Sequence, residues 1–198
     1  MVVGFIILIG LVVYLIISIA MIYFGIRYAR KKGKPGWKGG LLAAIAMYLI
    51  VLWDFIPFHI AHKYYCATEG GFTVYKTLEE WKMENPGVAD ILTYKRSSDY
   101  EKSDNKERYI LNQRFVWDIT TEKNFLGVIK SDNRVIDTKT NEILAQYVDF
   151  NSGQSSLEPD KIRDFKIWIF KTSCEPDGGK ISRQEFYEYK YLIKRIGR

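Results

Sequence analysis

The chain begins with a long uncharged run. Residues 2–26, VVGFIILIGLVVYLIISIAMIYFGI, are 25 positions without an acid or a base. An α-helix needs about 20 apolar residues to cross a bilayer. A secretory signal would place a basic segment first, use a shorter apolar core and end on small residues. Residues 2–26 do none of this, so they predict an uncleaved transmembrane helix. Residues 27–40, RYARKKGKPGWKGG, hold six cations and no acid, with Gly33, Pro35, Gly36, Gly39 and Gly40 as helix breakers. They predict a short turn. The second apolar run, LLAAIAMYLIVLWDFIPFHI over 41–60, predicts a second spanning helix whose only charge is Asp54, with Pro57 near its far end.

Beyond residue 60 the pattern shortens to alternation. GGFTVYKT, 70–77, reads as a strand, with Phe72 and Val74 on one face and Thr73 and Tyr75 on the other. Thr77 stands three residues before Glu80, a capping box for a short helix through Trp81 and Met83. Asn85-Pro86-Gly87 ends that helix and opens another over 87–94. Residues 95–108 are almost entirely polar and predict a surface loop, the segment expected to move most. Residues 109–119 are strand-like. Residues 125–150 predict a hairpin with a break near Asp132-Asn133 and a polar turn at DTKTNE. A loop over 151–160 and a strand over 162–174 follow. Ser182 and Glu185 form a second capping box, starting a helix through Phe186, Tyr189, Leu192, Ile193 and Ile196, with cations in its last turn.

The predicted fold is therefore α+β. A transmembrane two-helix hairpin, 1–60, precedes a domain at 61–198 in which an antiparallel sheet of four or five strands packs against one or two helices.

Charge adds a direction. The net charge of +6 is concentrated: residues 1–60 carry six bases and one acid, residues 61–198 carry 23 bases and 22 acids. A basic nucleic-acid-binding domain is excluded on that distribution, and the expected lipid contact is through the two spans. Cytoplasmic loops are enriched in Lys and Arg. The 27–40 loop is therefore expected in the cytoplasm, with both termini and the domain on the periplasmic side of a bacterial inner membrane. The opposite orientation would translocate six cations.

Three groups of residues could carry chemistry. On a helix His59, His62 and Cys66 share one face, and imidazole and thiolate suit zinc or copper. A fourth ligand would have to come from elsewhere, and the chain has only two His and two Cys. The preferred reading makes His59 and His62 polar residues at the membrane interface, beside Tyr64 and Tyr65; no metal and no cofactor are expected. Cys66 and Cys174 both fall in the exported part, where thiols oxidise, and are expected to form a disulfide closing a 108-residue separation. The alternatives are two buried free thiols or a catalytic thiol, the latter without a CxxC motif. Asp54 is the one acid inside a span, either a functional group that binds a basic residue or carries protons, or a carboxylate close to interfacial water.

DGGKISRQEF near the end resembles half of an EF-hand loop. Its alignment puts Cys174, Pro176 and Gly178 where carboxylates belong, which excludes calcium. No phosphate loop, nucleophile elbow or zinc-protease motif occurs.

HKYYCATEGGFTVYKT, RVIDTKTNEILAQYVDF and the later Cys174 together resemble small bacterial membrane-anchored proteins. In these a two-helix N-terminal hairpin carries a Cys-containing extracytoplasmic domain, and a Cys precedes a Gly-rich VY-T strand. The resemblance covers about residues 60–175 and implies an exported, disulfide-bearing domain, with no activity and no site residues. The expected function is a membrane-anchored binding or assembly protein without its own catalysis, acting on a protein partner or as a homo-oligomer. The alternatives are a metal- or proton-handling membrane protein or enzyme using Asp54 or the His59/His62/Cys66 face, and a phage-type exclusion or immunity protein.

Overall fold

The computed structural model describes residues 2–93, 100–152, 169, 173, 174 and 178–196. These fall into two compact units that meet in sequence at Pro57 and Phe58.

The first unit is helical. Helix α1, Val2–Lys31, outlasts its uncharged stretch by more than a turn, and α2 runs Gly36–Val51. Only Lys32–Pro35 turns the chain, with Gly33 at φ +69. The predicted loop over 27–40 is thus mostly helix. Gly36, Gly39 and Gly40 do not break α2. They let it pack against α1: a Cβ on Gly39 would lie 2.2 Å from the carbonyl oxygen of Gly25 and 2.6 Å from Cβ of Ala29. Gly25/Ala29 and Gly39/Ala43 are small residues four apart, the spacing that lets helix backbones approach closely. Among the described helices, α1 has the length and apolarity to cross a membrane on its own, over Leu8–Lys31.

The second apolar run is not one helix. It stops at Val51 and restarts as α3, Phe55–Thr68. Pro57 explains the break. Proline cannot sit inside a helix without losing a hydrogen bond, but its missing N–H costs nothing in a first turn. The restart puts Pro57 at the third position of α3, and Asp54 immediately before the first.

The second unit is built on a six-stranded sheet, one or two strands more than the pattern predicts, in the order β1-β6-β5-β4-β3-β2 with every pair antiparallel. The strands are β1 Gly71–Val74, β2 Tyr100–Ser103, β3 Lys106–Ile110, β4 Phe115–Lys123, β5 Ile129–Asp137 and β6 Glu142–Asn151. Strands β2 to β6 form a meander, and β1 returns to the far side of β6, with Phe72 opposite Tyr147. Two short helices follow β1: α4, Leu78–Glu84, and α5, Val88–Ile91. The Thr77–Glu80 capping box is present in both directions. Helix α6, Gly178–Lys194, covers one sheet face. The core between them holds Trp81, Phe115, Val135, Leu144, Phe186 and Ile193, all nearly inaccessible to solvent.

Three local expectations differ from the structure, and a fourth falls mostly outside the described residues. The polar stretch 100–108 is a hairpin, β2–β3, closed by Asp104-Asn105 between the paired Ser103 and Lys106. It escaped the pattern because β2 is an edge strand exposed along its whole length, and edges are kept polar. Asp132 and Asn133 do not interrupt β5; Gln146 Nε2 donates to Asp132 at 2.8 Å and Trp117 Nε1 to Asn133 at 3.2 Å, so both polar groups are satisfied inside the sheet. Helix α6 begins at Gly178, which leaves Ser182 inside it and not at its cap. Of the strand predicted over 162–174, only Ile169, Ser173 and Cys174 are described, and none of the three is in a strand. The remainder of that stretch, residues 153–160 of the predicted loop and 95–99 of the polar segment lie outside the described residues.

Candidate functional site

Helix α3 belongs to the second unit from Phe58 onward. Phe58 is fully buried and stacks on the His62 ring with centroids 5.9 Å apart. Nε2 of His62 donates to the carbonyl oxygen of Phe150 at 3.1 Å, and Tyr65 stacks on the Phe150 ring at 5.4 Å. One helical turn past His62, Cys66 is disulfide-bonded to Cys174, with Cα atoms 5.4 Å apart across a sequence separation of 108. A Cβ on Gly70 would lie 2.8 Å from the Cys66 carbonyl oxygen and 3.1 Å from Sγ of Cys174, so the crosslink needs glycine there.

The helical face predicted from sequence therefore exists, but its sulfur is committed to Cys174 and one imidazole to a backbone carbonyl. No group of three metal-binding side chains occurs among the described residues. Asp54 is buried at 4% exposure and immediately precedes the first residue of α3.

Asp149 anchors the second half of the crosslink. One carboxylate oxygen accepts the backbone N–H of Cys174 at 2.9 Å and that of Phe150 at 2.9 Å; the other accepts from Arg183 of α6 at 2.9 Å. Arg183 also bonds the hydroxyl of Tyr147, whose pKa burial raises to about 12. Strand β6, the disulfide and α6 are thus tied through one buried acid. At the opposite end of the sheet Asp137, fully buried, accepts from Arg114 Nε at 2.6 Å, Trp81 Nε1 at 2.9 Å and the Lys139 N–H at 2.9 Å. Burial pushes its pKa up, but these donors hold it below the usual carboxylate value.

The accessible chemistry lies on the face shared by β2–β4 and α6. Tyr100, Tyr109 and Trp117 stand on three adjacent strands and stack in turn, centroids 5.3 and 4.8 Å apart. From α6, Lys190 sets its ammonium 3.4 Å above the Trp117 ring centre and 4.1 Å above that of Tyr187. Burial lowers the Lys190 pKa to about 8, and the neighbouring Lys194 charge adds to the shift. Tyr187 and Tyr191 are about half exposed and line, with Arg183 and Glu188, a cleft of about 430 Å³. Tyrosine, tryptophan and arginine are the residues that carry most binding energy at protein interfaces.

Sequence reasoning found Cys66 and Cys174 but missed Asp149, Lys190 and the ring stack. Asp149 had a signal, a lone acid in the apolar strand ILAQYVDF. The stack had none, because it joins residues from three strands and a helix. Compared with protein-family models, with curated proteins and with solved structures, the chain has no significant match.

Proposed function

We propose that this protein is a two-span bacterial inner-membrane protein whose sheet domain lies outside the cytoplasm. There it acts as a binding or assembly module without catalysis of its own. The spans are α1 and the broken α2–α3 run. At about 1.5 Å per residue, the 16 residues of α2 reach roughly 24 Å, short of a hydrocarbon core of about 30 Å. Together with α3 it meets the length of a span only as a pair bent by 62° at the break. The six cations between Arg27 and Lys38 favour a cytoplasmic turn, which puts both termini on the far side.

The observation that carries the reading is the Cys66–Cys174 disulfide. Such bonds persist in oxidising compartments and are rare in a reducing cytosol. The binding role is supported by the exposed tyrosines beside Trp117 and Lys190, a composition typical of contact surfaces.

Paired fusions after Arg198 test the topology: an alkaline phosphatase fusion should be active and a GFP fusion dark, and the reverse result overturns the reading. A photo-crosslinking residue in place of Tyr187, activated in native membranes, should give a discrete adduct. Its absence, with the protein abundant and oxidised, removes the binding role.

A further inference from the structure

We infer that the corner between the Trp117 and Tyr187 rings is a binding site for a quaternary ammonium group, with Lys190 as its tethered plug. The inference rests on the binding role given above to this face and names the ligand chemistry it takes. All three residues belong to the sheet unit.

The two rings stand nearly at right angles, 83° between planes, with centroids 6.3 Å apart. The ammonium of Lys190 occupies the corner, 3.4 Å from the Trp117 ring centre and 4.1 Å from that of Tyr187. The electron-rich face of each ring attracts a cation. The Trp117 wall is built in advance. Its Nε1 donates to Asn133 at 3.2 Å, and Tyr109 stacks on it with centroids 4.8 Å apart. The buried Phe186 ring lies against both walls, its centroid 6.3 Å from Trp117 and 6.1 Å from Tyr187. Walls fixed by the fold lose little freedom on binding.

The resident cation matches the charge of this corner but not its lack of acceptors. A lysine ammonium carries three N–H donors. Among the described residues, those of Lys190 have neither a hydrogen-bond acceptor nor an acid partner. Burial, with the Lys194 charge adding to it, lowers the Lys190 pKa to about 8. A fully alkylated nitrogen keeps the charge and has no donors to satisfy, so the same rings hold it without that desolvation cost. Primary amines and guanidinium groups would meet the difficulty Lys190 meets. Lys190 is half-buried and Tyr187 is 45% exposed, so the plug can swing out on its flexible stem without unpacking the core.

The test uses the full chain in maltoside micelles, labelled with fluorotryptophan and read by ¹⁹F NMR. The Trp117 resonance is the one missing from Trp117→Phe. Tetramethylammonium chloride, titrated against sodium chloride at equal ionic strength, should shift that resonance saturably. Lys190→Ala should bind about tenfold more tightly, as expected for a plug seated about nine-tenths of the time. Tyr187→Phe should keep the site, and Tyr187→Leu, a change at the surface, should lose it. Choline and phosphocholine, run in parallel, separate a free ammonium from a lipid headgroup by which binds more tightly. A neutral alcohol with a tert-butyl group in place of the trimethylammonium of choline should do nothing; a shift equal to that of choline marks a merely apolar pocket and overturns the inference. So does the lack of a saturable shift in Lys190→Ala, and an affinity unchanged by that substitution removes the plug. A Tyr187 photo-adduct without any ammonium response defeats the cation site alone. An ammonium response without an adduct defeats the protein partner and leaves the cation site standing.

Discussion

Arg183 and Asp149 meet at 2.9 Å, and the same carboxylate accepts the backbone N–H of Cys174. The C-terminal helix thus holds the acid that holds the crosslink. Three parts of the chain far apart in sequence depend on one another here. Arg183→Met should therefore lower domain stability by about 1 kcal/mol, at the low end for a charged hydrogen bond because the guanidinium is 44% exposed. Asp149→Ala should cost more, about 2–3 kcal/mol, since it strands the buried N–H of Phe150 and the half-buried N–H of Cys174. Urea unfolding of the two variants in detergent checks the order; equal losses would mean that the acid acts only through Arg183.

The disulfide should contribute more than either. In the chain-entropy model, closing a loop of this length stabilises by about 4–5 kcal/mol. Cys66→Ser/Cys174→Ser should unfold at a correspondingly lower denaturant concentration, and wild type treated with reductant should reproduce it. An unchanged midpoint would show that contacts around Asp149 hold the segment without the bond.

Acid should unfold the domain through Asp137 and Asp118. Asp118 is pushed up by burial but held below the usual carboxylate value by Arg108 and Lys106. Asp137 is held down in the same way by Arg114, Trp81 and Lys139. A depressed folded pKa means that the stabilisation is complete above the unfolded value, about 4, and is lost as pH falls through the folded values. Stability should therefore decline below about pH 4. Asp137→Asn should lose about 3–5 kcal/mol at neutral pH, because it leaves Arg114 buried without its charge partner, and should show a shallower acid decline. An identical acid profile in the variant would place the titration elsewhere.

Lys190 should titrate near pH 8. Its folded pKa lies below the unfolded one, so the unfolded chain binds more protons between the two. The penalty is complete below pH 8 and is relieved as pH rises towards the unfolded value of about 10.4. NMR of reductively ¹³C-methylated lysines should show one resonance titrating well before the rest, missing in Lys190→Arg. Uniform titration would mean the ammonium stays hydrated.

Close packing of α1 on α2 should fail when Gly39 gains bulk. Gly39→Leu places a side chain where a Cβ alone comes within 2.2 Å of the Gly25 carbonyl oxygen. Spin labels at Tyr28 and Trp37 should then report a longer, broader distance distribution than in the parent. An unchanged distribution would mean that the helices pack through other faces.

Local chemistry fixed what could be read along the chain. The uncharged run of α1 and the Thr77–Glu80 cap were legible because each depends on residues within a few positions. The Cys66–Cys174 pair was legible from the expected export of residues 61–198 together with the count, since two cysteines allow one bridge. The edge hairpin β2–β3 was not, because its alternation carries no burial. The continuity of β5 was hidden for the opposite reason: Asp132 and Asn133 look like a turn until Gln146 and Trp117, from neighbouring strands, satisfy them. Gly39 and Pro57 show the same limit within the helices. Sequence marks both as breakers, but a glycine facing another helix permits contact, and a proline breaks a helix only where its N–H would be used. Composition and short-range pattern thus determined the α+β class, the apolar N-terminal helix and the crosslink. Strand count, register, the Asp149 junction and the Trp117–Lys190 stack were decided only by tertiary structure, because each depends on which distant backbone or side chain arrives to complete a polar or aromatic group.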